Sequence, residues 1–177
     1  MKKIALALLL LPAVSFAENI NFIGAQYTWM SGISDEEKVD GYMVGYERVF
    51  GDGFAAALDY IVLDTENKTL GTKDRHQEVN ASVDFAFIGS FKTGAVYIGL
   101  EKELYNGSNN KYLTKVGVAT RSGEGLDFDF NISTRHGDIG LGGSMRGQLS
   151  DGIMGWELGF THVLNKTTSF AGLSLAF

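Results

Sequence analysis

Three residues near the middle of the chain are of the types that catalyse acyl transfer. Ser133, His136 and Asp138 could supply a nucleophile, a base and a carboxylate that orients the base. Alternation along a strand, however, places Ser133 on one face and His136 on the other. We therefore expect these side chains to form a polar rim and not a catalytic triad.

Acidic residues form two further candidate groups. Asp127 and Asp129 are a carboxylate pair of the kind used for acid and base catalysis, but they lie beside a tight turn at 122–125. The segment 31–41 contains four acidic residues whose oxygens could bind hard cations, but their spacing fits no calcium-binding loop. We expect a solvated acidic loop, and no residue pattern in the chain predicts a cofactor or a metal.

In the segments that must position these residues, apolar and polar residues alternate with a period of two. Ten segments each have one apolar face and one small, polar or charged face. Compact Gly/Asp breaks, such as Gly51-Asp52-Gly53 and Ser150-Asp151-Gly152, follow every second segment and indicate hairpin turns. At the opposite end, 31–40, 65–77 and 103–111 are longer and polar, which predicts loops, whereas the last two connections, around 136–138 and 165–167, are short. The third of these loops is too short to suggest a large adhesive surface.

The first seventeen residues have the pattern of a secretory signal peptide. Lys2 and Lys3 precede the apolar stretch Ile4–Val14, and Ser15-Phe16-Ala17 resembles a cleavage site. The apolar stretch is too short for a transmembrane helix, which takes about 20 residues. We expect residues 1–17 to be removed on export and residues 18–177 to form one domain.

Composition excludes nucleic acid as a partner of this exported domain. Without Lys2 and Lys3, thirteen basic residues face twenty-one acidic ones, a net charge of −8, whereas phosphate binding requires a basic surface. The chain has no cysteine, 23 glycines and one proline. Glycine suits tight turns and strongly bent strands, and the scarcity of proline suits uninterrupted strand ladders.

Two architectures share this alternation: a soluble sheet with its apolar face inward, and a membrane barrel with that face outward. Aromatic residues near both ends of the segments and charges of both signs in mid-segment favour the barrel. We predict an antiparallel transmembrane β-barrel of ten strands. Its interfacial aromatic residues would be Trp29, Tyr42, Phe50, Phe54, Tyr105, Tyr112 and Trp156. Its lumen-lining residues would be Glu47, Asp59, Asp84, Glu101, Lys115, Arg121, Asp127, Asp129, Arg135, Arg146 and Glu157.

Two stretches resemble small bacterial outer-membrane barrel proteins. FAGLSLAF at 170–177 resembles their terminal assembly signal, with Leu173, Leu175 and Phe177 on one face. GYMVGYERVFGDGFAAALDY at 41–60 resembles a strand–turn–strand unit of porin-like families, including the OmpX/Ail group and OmpA-type domains. Those relatives usually have eight strands, so that count is the alternative to ten. The YfaZ-like proteins are also compatible in length.

The resemblance implies a location in the bacterial outer membrane, with outer-membrane lipid, lipopolysaccharide and the barrel-assembly machinery as partners. The deacylase barrels use a His-x-Ser pair, but the comparable stretch here, His162-Val163-Leu164-Asn165, has no serine. An enzyme is therefore the least favoured function. We expect a narrow, low-conductance channel, or alternatively a plugged structural or surface-interaction barrel. The sequence does not indicate an oligomeric state.

Overall fold

The computed structural model describes residues 20–31, 37–51, 53–105, 112–123, 125–135, 138–149 and 153–177, without the side chains of Tyr105 and Arg135. The predicted signal peptide lies outside these residues. The described residues form ten strands: β1 (Ile20–Ser31), β2 (Glu37–Phe50), β3 (Phe54–Asn67), β4 (Thr72–Ser90), β5 (Gly94–Tyr105), β6 (Tyr112–Thr120), β7 (Leu126–Arg135), β8 (Asp138–Gln148), β9 (Met154–Val163) and β10 (Lys166–Ala176).

Each strand pairs antiparallel with its neighbours in the sequence, and β1 pairs with both β2 and β10. The sheet is thus a closed barrel, and closure leaves no strand edge exposed to lipid. The prediction of ten strands, and not eight, is confirmed. We call the end that holds Ile20 and Phe177 the terminal end, and the opposite end the loop end.

The outer surface of the barrel is apolar. Side chains that alternate along the strands face outward with about half of their surface exposed, including Ile98 (52%), Val116 (53%) and Leu141 (51%). A water-soluble barrel would bury such residues, whereas a membrane barrel presents them to lipid. No helix in the described part of the chain has the length and apolar character needed to cross a membrane.

The hairpin of β3 and β4 is longer than the sequence predicted. Pairing continues from Phe54 opposite Phe85 to Asn67 opposite Thr72, so most of the predicted loop 65–77 is strand and that prediction was wrong. Because β4 pairs with β5 only from Val79 onward, residues 72–78 project beyond β5 at the loop end.

Ion pairs across the projecting hairpin explain why a polar segment stays in register. Arg75 donates two hydrogen bonds to Asp64, at 2.7 and 3.0 Å, and Lys73 Nζ lies 3.5 Å from Glu66 Oε1. The hydrogen bonds from Arg75 lower the pKa of Asp64 from its ordinary value. Opposite charges directly across a strand pair stabilise the pairing. In the sequence alone, where the partner strand is unknown, a segment with these two acids and two bases has the polar composition of a loop.

Glycine lets the strands that close the barrel approach one another. A Cβ at Gly172 on β10 would meet the carbonyl oxygen of Ala25 and would lie 2.6 Å from Cα of Gln26, both in the backbone of β1. A Cβ at Gly24 on the same seam would have only ordinary contacts, the nearest at 3.5 Å.

The variant Gly172→Ala should therefore weaken the β1–β10 seam. We expect a loss of about 1–3 kcal/mol in the free energy of unfolding, because the backbone of β1 must shift to make room. Urea unfolding in detergent would measure the loss. Gly24→Ala is the matched control and should change stability far less; equal effects of the two variants would contradict this account of the seam.

Candidate functional site in the barrel lumen

The inward faces of the strands enclose a charged cavity of about 240 Å³. Ten of the eleven lumen residues predicted from the sequence line it, while the side chain of Arg135 lies outside the described residues. The structure therefore brings the ten together in one space. They are Glu47, Asp59, Asp84, Glu101, Lys115, Arg121, Asp127, Asp129, Arg146 and Glu157.

Arg121, in the turn after β6, contacts three carboxylates from three different strands. Its Nη2 donates to Asp84 Oδ2 at 2.6 Å and to Asp129 Oδ2 at 2.7 Å. Its Nε lies 3.2 Å from Glu47 Oε1. Arg121 is only 6% exposed, so these ion pairs are screened little by water. One guanidinium thus links β2, β4 and β7 across the lumen.

Arg146 on β8 extends this network to the other side of the barrel. Its Nη2 lies 3.2 Å from Glu47 Oε2 and 3.4 Å from Glu157 Oε1. Gln26 on β1 donates to the second oxygen of Glu157 at 2.7 Å. Glu47 therefore bridges the two arginines, and the connected side chains reach from β4 to β1. We call this set, with Lys115, the lumen network.

Lys115 completes the lumen network, because its Nζ lies 3.0 Å from Asp84 Oδ1. The small residue opposite it makes this contact possible. A Cβ at Gly99 would lie 2.5 Å from Cε of Lys115 and would also meet the Asp84 carboxylate. Small inward residues therefore provide the space in which long charged side chains meet.

An apolar layer lies at the terminal end of the lumen, next to the lumen network. The guanidinium carbon of Arg121 lies 4.5 Å from the ring centre of Phe91, and that of Arg146 lies 4.0 Å from the ring centre of Phe22. Cation–π contacts of this kind join the charged and apolar parts. The layer consists of Phe22, Val49, Ala55, Phe91, Ala95, Tyr97 and Ala119.

Sequence reasoning missed the apolar layer. Tyr97 is fully buried. Its neighbours Val96 and Ile98 belong to the predicted outward face, so alternation along the strand already directs the Tyr97 ring into the lumen. Its hydroxyl donates to Asp129 Oδ1 at 2.7 Å. Phe91 lies in a turn, where alternation gives no signal. An aromatic residue at an inward position was the available sign of this layer.

The candidate catalytic carboxylates accept hydrogen bonds from nearby groups. Asp127 accepts bonds from the backbone N–H of Ser122 at 2.8 Å and of Gly123 at 3.0 Å, which fixes the turn. Ser133 is buried in the lumen wall opposite Lys115, and His136 lies outside the described residues. These contacts give the aspartates structural roles.

Asp59 on β3 differs from the other lumen acids. Within the described part of the chain, no side chain forms a hydrogen bond or an ion pair with it. It lies opposite Gly45 on β2 and lines the charged cavity. A carboxylate at such a place is costly unless water or a cation solvates it.

The predicted aromatic residues lie at both ends of the barrel. Those at the loop end are the exposed Trp29, Tyr42 and Tyr112, together with the backbone of Tyr105. Those at the terminal end are Phe50, Phe54 and Trp156. The residues of the predicted assembly signal are exposed on the outer face or at its end, namely Leu173 (54%), Leu175 (40%) and Phe177 (59%).

The chain is similar to known outer-membrane proteins in sequence pattern and in fold. A family model described as Gram-negative porin matches residues 14–174. The outer membrane protein Omp33 of Acinetobacter baumannii is 10% identical, with 90% of this chain and 99% of that chain covered and a TM-score of 0.43. A KdgM porin in complex with disordered oligogalacturonate is 7% identical, with 90% and 99% covered and a TM-score of 0.43.

A third similar structure is the translocator domain of the autotransporter NalP from Neisseria meningitidis. It is 9% identical, with 99% of this chain and 96% of that chain covered and a TM-score of 0.43. A comparison with curated proteins found no match.

Replacing Arg121 should destabilise the barrel, because three buried carboxylates would lose their shared partner. We expect Arg121→Met to lower the free energy of unfolding by about 3–5 kcal/mol in a urea titration in detergent. The control is Arg75→Met, which removes an exposed arginine–aspartate pair and should cost less than about 1 kcal/mol. Similar costs for both variants would show that the lumen network does not support the fold.

Proposed function

This chain belongs to the Gram-negative porin family, and on that premise we propose that it is a narrow outer-membrane channel that favours cations. The observation that carries the proposal is the surplus of carboxylates around the charged cavity. Of the ten described residues predicted for the lumen, seven are acidic and three are basic. Rings of carboxylates in a pore favour cations over anions.

The surplus is greatest away from the lumen network. The two arginines and Lys115 hold Glu47, Asp84, Asp129 and Glu157, and backbone amides hold Asp127. Asp59, which no described side chain pairs with, lines the same cavity nearer the loop end. A cation that enters from the loop end would therefore meet Asp59 before it meets the arginines.

The apolar layer and the lumen network supply the constriction of the proposed channel. Two aromatic side chains of the layer, Phe91 and Tyr97, are fully buried, so we expect the layer to narrow the water path. Ten strands enclose somewhat more room than eight, where side chains just fill the interior. Low conductance, with ions passing only when these side chains move, is the behaviour we infer.

We also propose that residues 1–17 are cleaved on export and that the terminal end faces the periplasm. Barrels of this type carry their longer segments on the extracellular side, and the projecting hairpin of β3 and β4 lies at the loop end, opposite the terminal end. The aromatic residues at both ends would then contact the lipid interfaces. We infer no enzymatic activity, in keeping with the family.

A plugged structural barrel is the second candidate function, and the apolar layer is the observation that favours it. Planar-bilayer recording distinguishes the two. Protein whose gel migration shifts on boiling is folded; if such protein gives no conductance, the plugged barrel is supported and the channel is wrong.

Asp59 is the residue through which cation preference can be tested. We expect Asp59→Asn to move the reversal potential in a KCl gradient at alkaline pH toward zero, because a carboxylate leaves the cavity while the lumen network stays intact. Asp64→Asn is the control on the same strand, since Asp64 lies on the projecting hairpin beyond the lumen. Anion preference of the parent, or no change in Asp59→Asn, would contradict the proposal.

The constriction can be tested at Phe91. Phe91→Ala removes a fully buried ring from the apolar layer, and we expect a higher single-channel conductance together with a stability loss of about 3–5 kcal/mol. Phe130→Ala is the control, because Phe130 is 47% exposed on the outer face of β7. An unchanged conductance in Phe91→Ala would place the constriction elsewhere.

A further inference from the structure

A second cluster of metal-ligating side chains lies on the inward face at the loop end, outside the lumen network. His76 and Glu78 lie two residues apart on β4, and Glu103 lies on the neighbouring β5. Their ligating atoms all lie within 4.8 Å of one another, and His76 Nε2 is 3.4 Å from Glu78 Oε2. Glu78 is only 7% exposed.

A buried amide beside this cluster is an independent sign of a ligand. Asn80 is 6% exposed and lies opposite Glu103 in the register of β4 and β5. Its Nδ2 donates to Glu78 Oε1, while its Oδ1 has no hydrogen-bond partner in the described part of the chain. Because both atoms share one amide carbon, the unsatisfied oxygen lies next to the Glu78 carboxylate. A buried acceptor without a partner is unusual in a native protein.

The backbone is irregular at the same place. The register of β4 and β5 shifts between Val79 and Asn80, so that Leu104 has no partner and Asn80 faces Glu103. Bulges of this type re-aim side chains and are frequent next to functional sites. Glu78 and Asn80, two residues apart on β4, share one side of the sheet with Glu103, and the irregularity lies directly beside them.

We propose that His76, Glu78 and Glu103 bind a divalent transition-metal ion of the Zn²⁺ type, with the amide oxygen of Asn80 as a fourth donor. Two carboxylates this close repel each other, and a divalent cation between them removes that repulsion. Imidazole suits zinc and its transition-metal neighbours, whereas Ca²⁺ and Mg²⁺ take oxygen ligands. Three side chains and one further donor satisfy tetrahedral coordination.

The site is distinct from the proposed constriction, because none of its residues belongs to the lumen network. It lies where β4 begins to pair with β5, at the base of the projecting hairpin. A bound ion would cross-link the two strands at this point. Metal binding should therefore raise the thermal stability of the folded barrel, since a ligand that binds only the native state stabilises it.

Isothermal titration of the folded protein in detergent, purified without a polyhistidine tag, with ZnCl₂ tests the proposal. We expect one Zn²⁺ per chain, at least tenfold weaker binding of Ca²⁺ and Mg²⁺, and a higher unfolding temperature in Zn²⁺. His76→Ala and Glu78→Gln should each weaken Zn²⁺ binding at least tenfold and abolish the stabilisation. Asn80→Ala should weaken binding several-fold.

Matched controls separate the site from adventitious binding. His162→Ala removes a histidine near the loop end that contacts Thr167, and Glu66→Gln removes an acid on the projecting hairpin; both should bind Zn²⁺ like the parent. Absence of Zn²⁺ binding, tighter binding of Ca²⁺, or parental affinity in Glu78→Gln would overturn the proposal. Variants must show the heat-dependent gel shift of a folded barrel. Zinc binding is measured without any conductance, so a failure of the proposed metal site can be distinguished from a failure of the proposed channel.

Discussion

The structure depends on the pairing of buried charge inside a narrow barrel. The outer face must be apolar because lipid surrounds it, so charged side chains in the middle of the membrane-spanning strands have to point inward. Arg121 meets this constraint by holding carboxylates from three strands at once. Removing one partner from such a cluster strongly lowers the free energy of unfolding, whereas the complete cluster stabilises the fold little more than apolar residues of similar volume would. Its clearest effect is therefore to specify which strands lie across from one another.

The lumen network and the apolar layer depend on each other. The guanidinium groups of Arg121 and Arg146 lie over the rings of Phe91 and Phe22, so each charge has carboxylates on one side and an aromatic face on the other. The layer places apolar side chains beside the ion pairs, and a low local dielectric strengthens such pairs. The ion pairs in turn fix the arginines that cover the rings. The proposed metal site lies apart from both, at the base of the projecting hairpin.

Much of the fold could be predicted from alternation alone. Parity assigned Glu47 and Asp84 to the lumen and Ile98 and Leu141 to lipid, because a period of two leaves no other choice once the apolar face is outward. Parity could not predict that Arg121 would meet Glu47, because that contact crosses the barrel and depends on its closure. The cluster proposed to bind metal was missed because His76 and Glu103 fell in two separate predicted loops, 65–77 and 103–111, which the structure shows to be strand at these residues.

The contact between the first and the last strand constrains the order of folding. Asn21 and Phe177 exchange backbone hydrogen bonds at 2.9 and 3.0 Å across a separation of 156 residues. The other strand pairs join segments that are adjacent in the chain, and each of them can form locally. Closure requires the entire sheet to curl first, and contacts between distant residues form slowly. During that interval both edge strands are open, and protecting them would be the task of a catalyst that holds β1 and β10 until they meet.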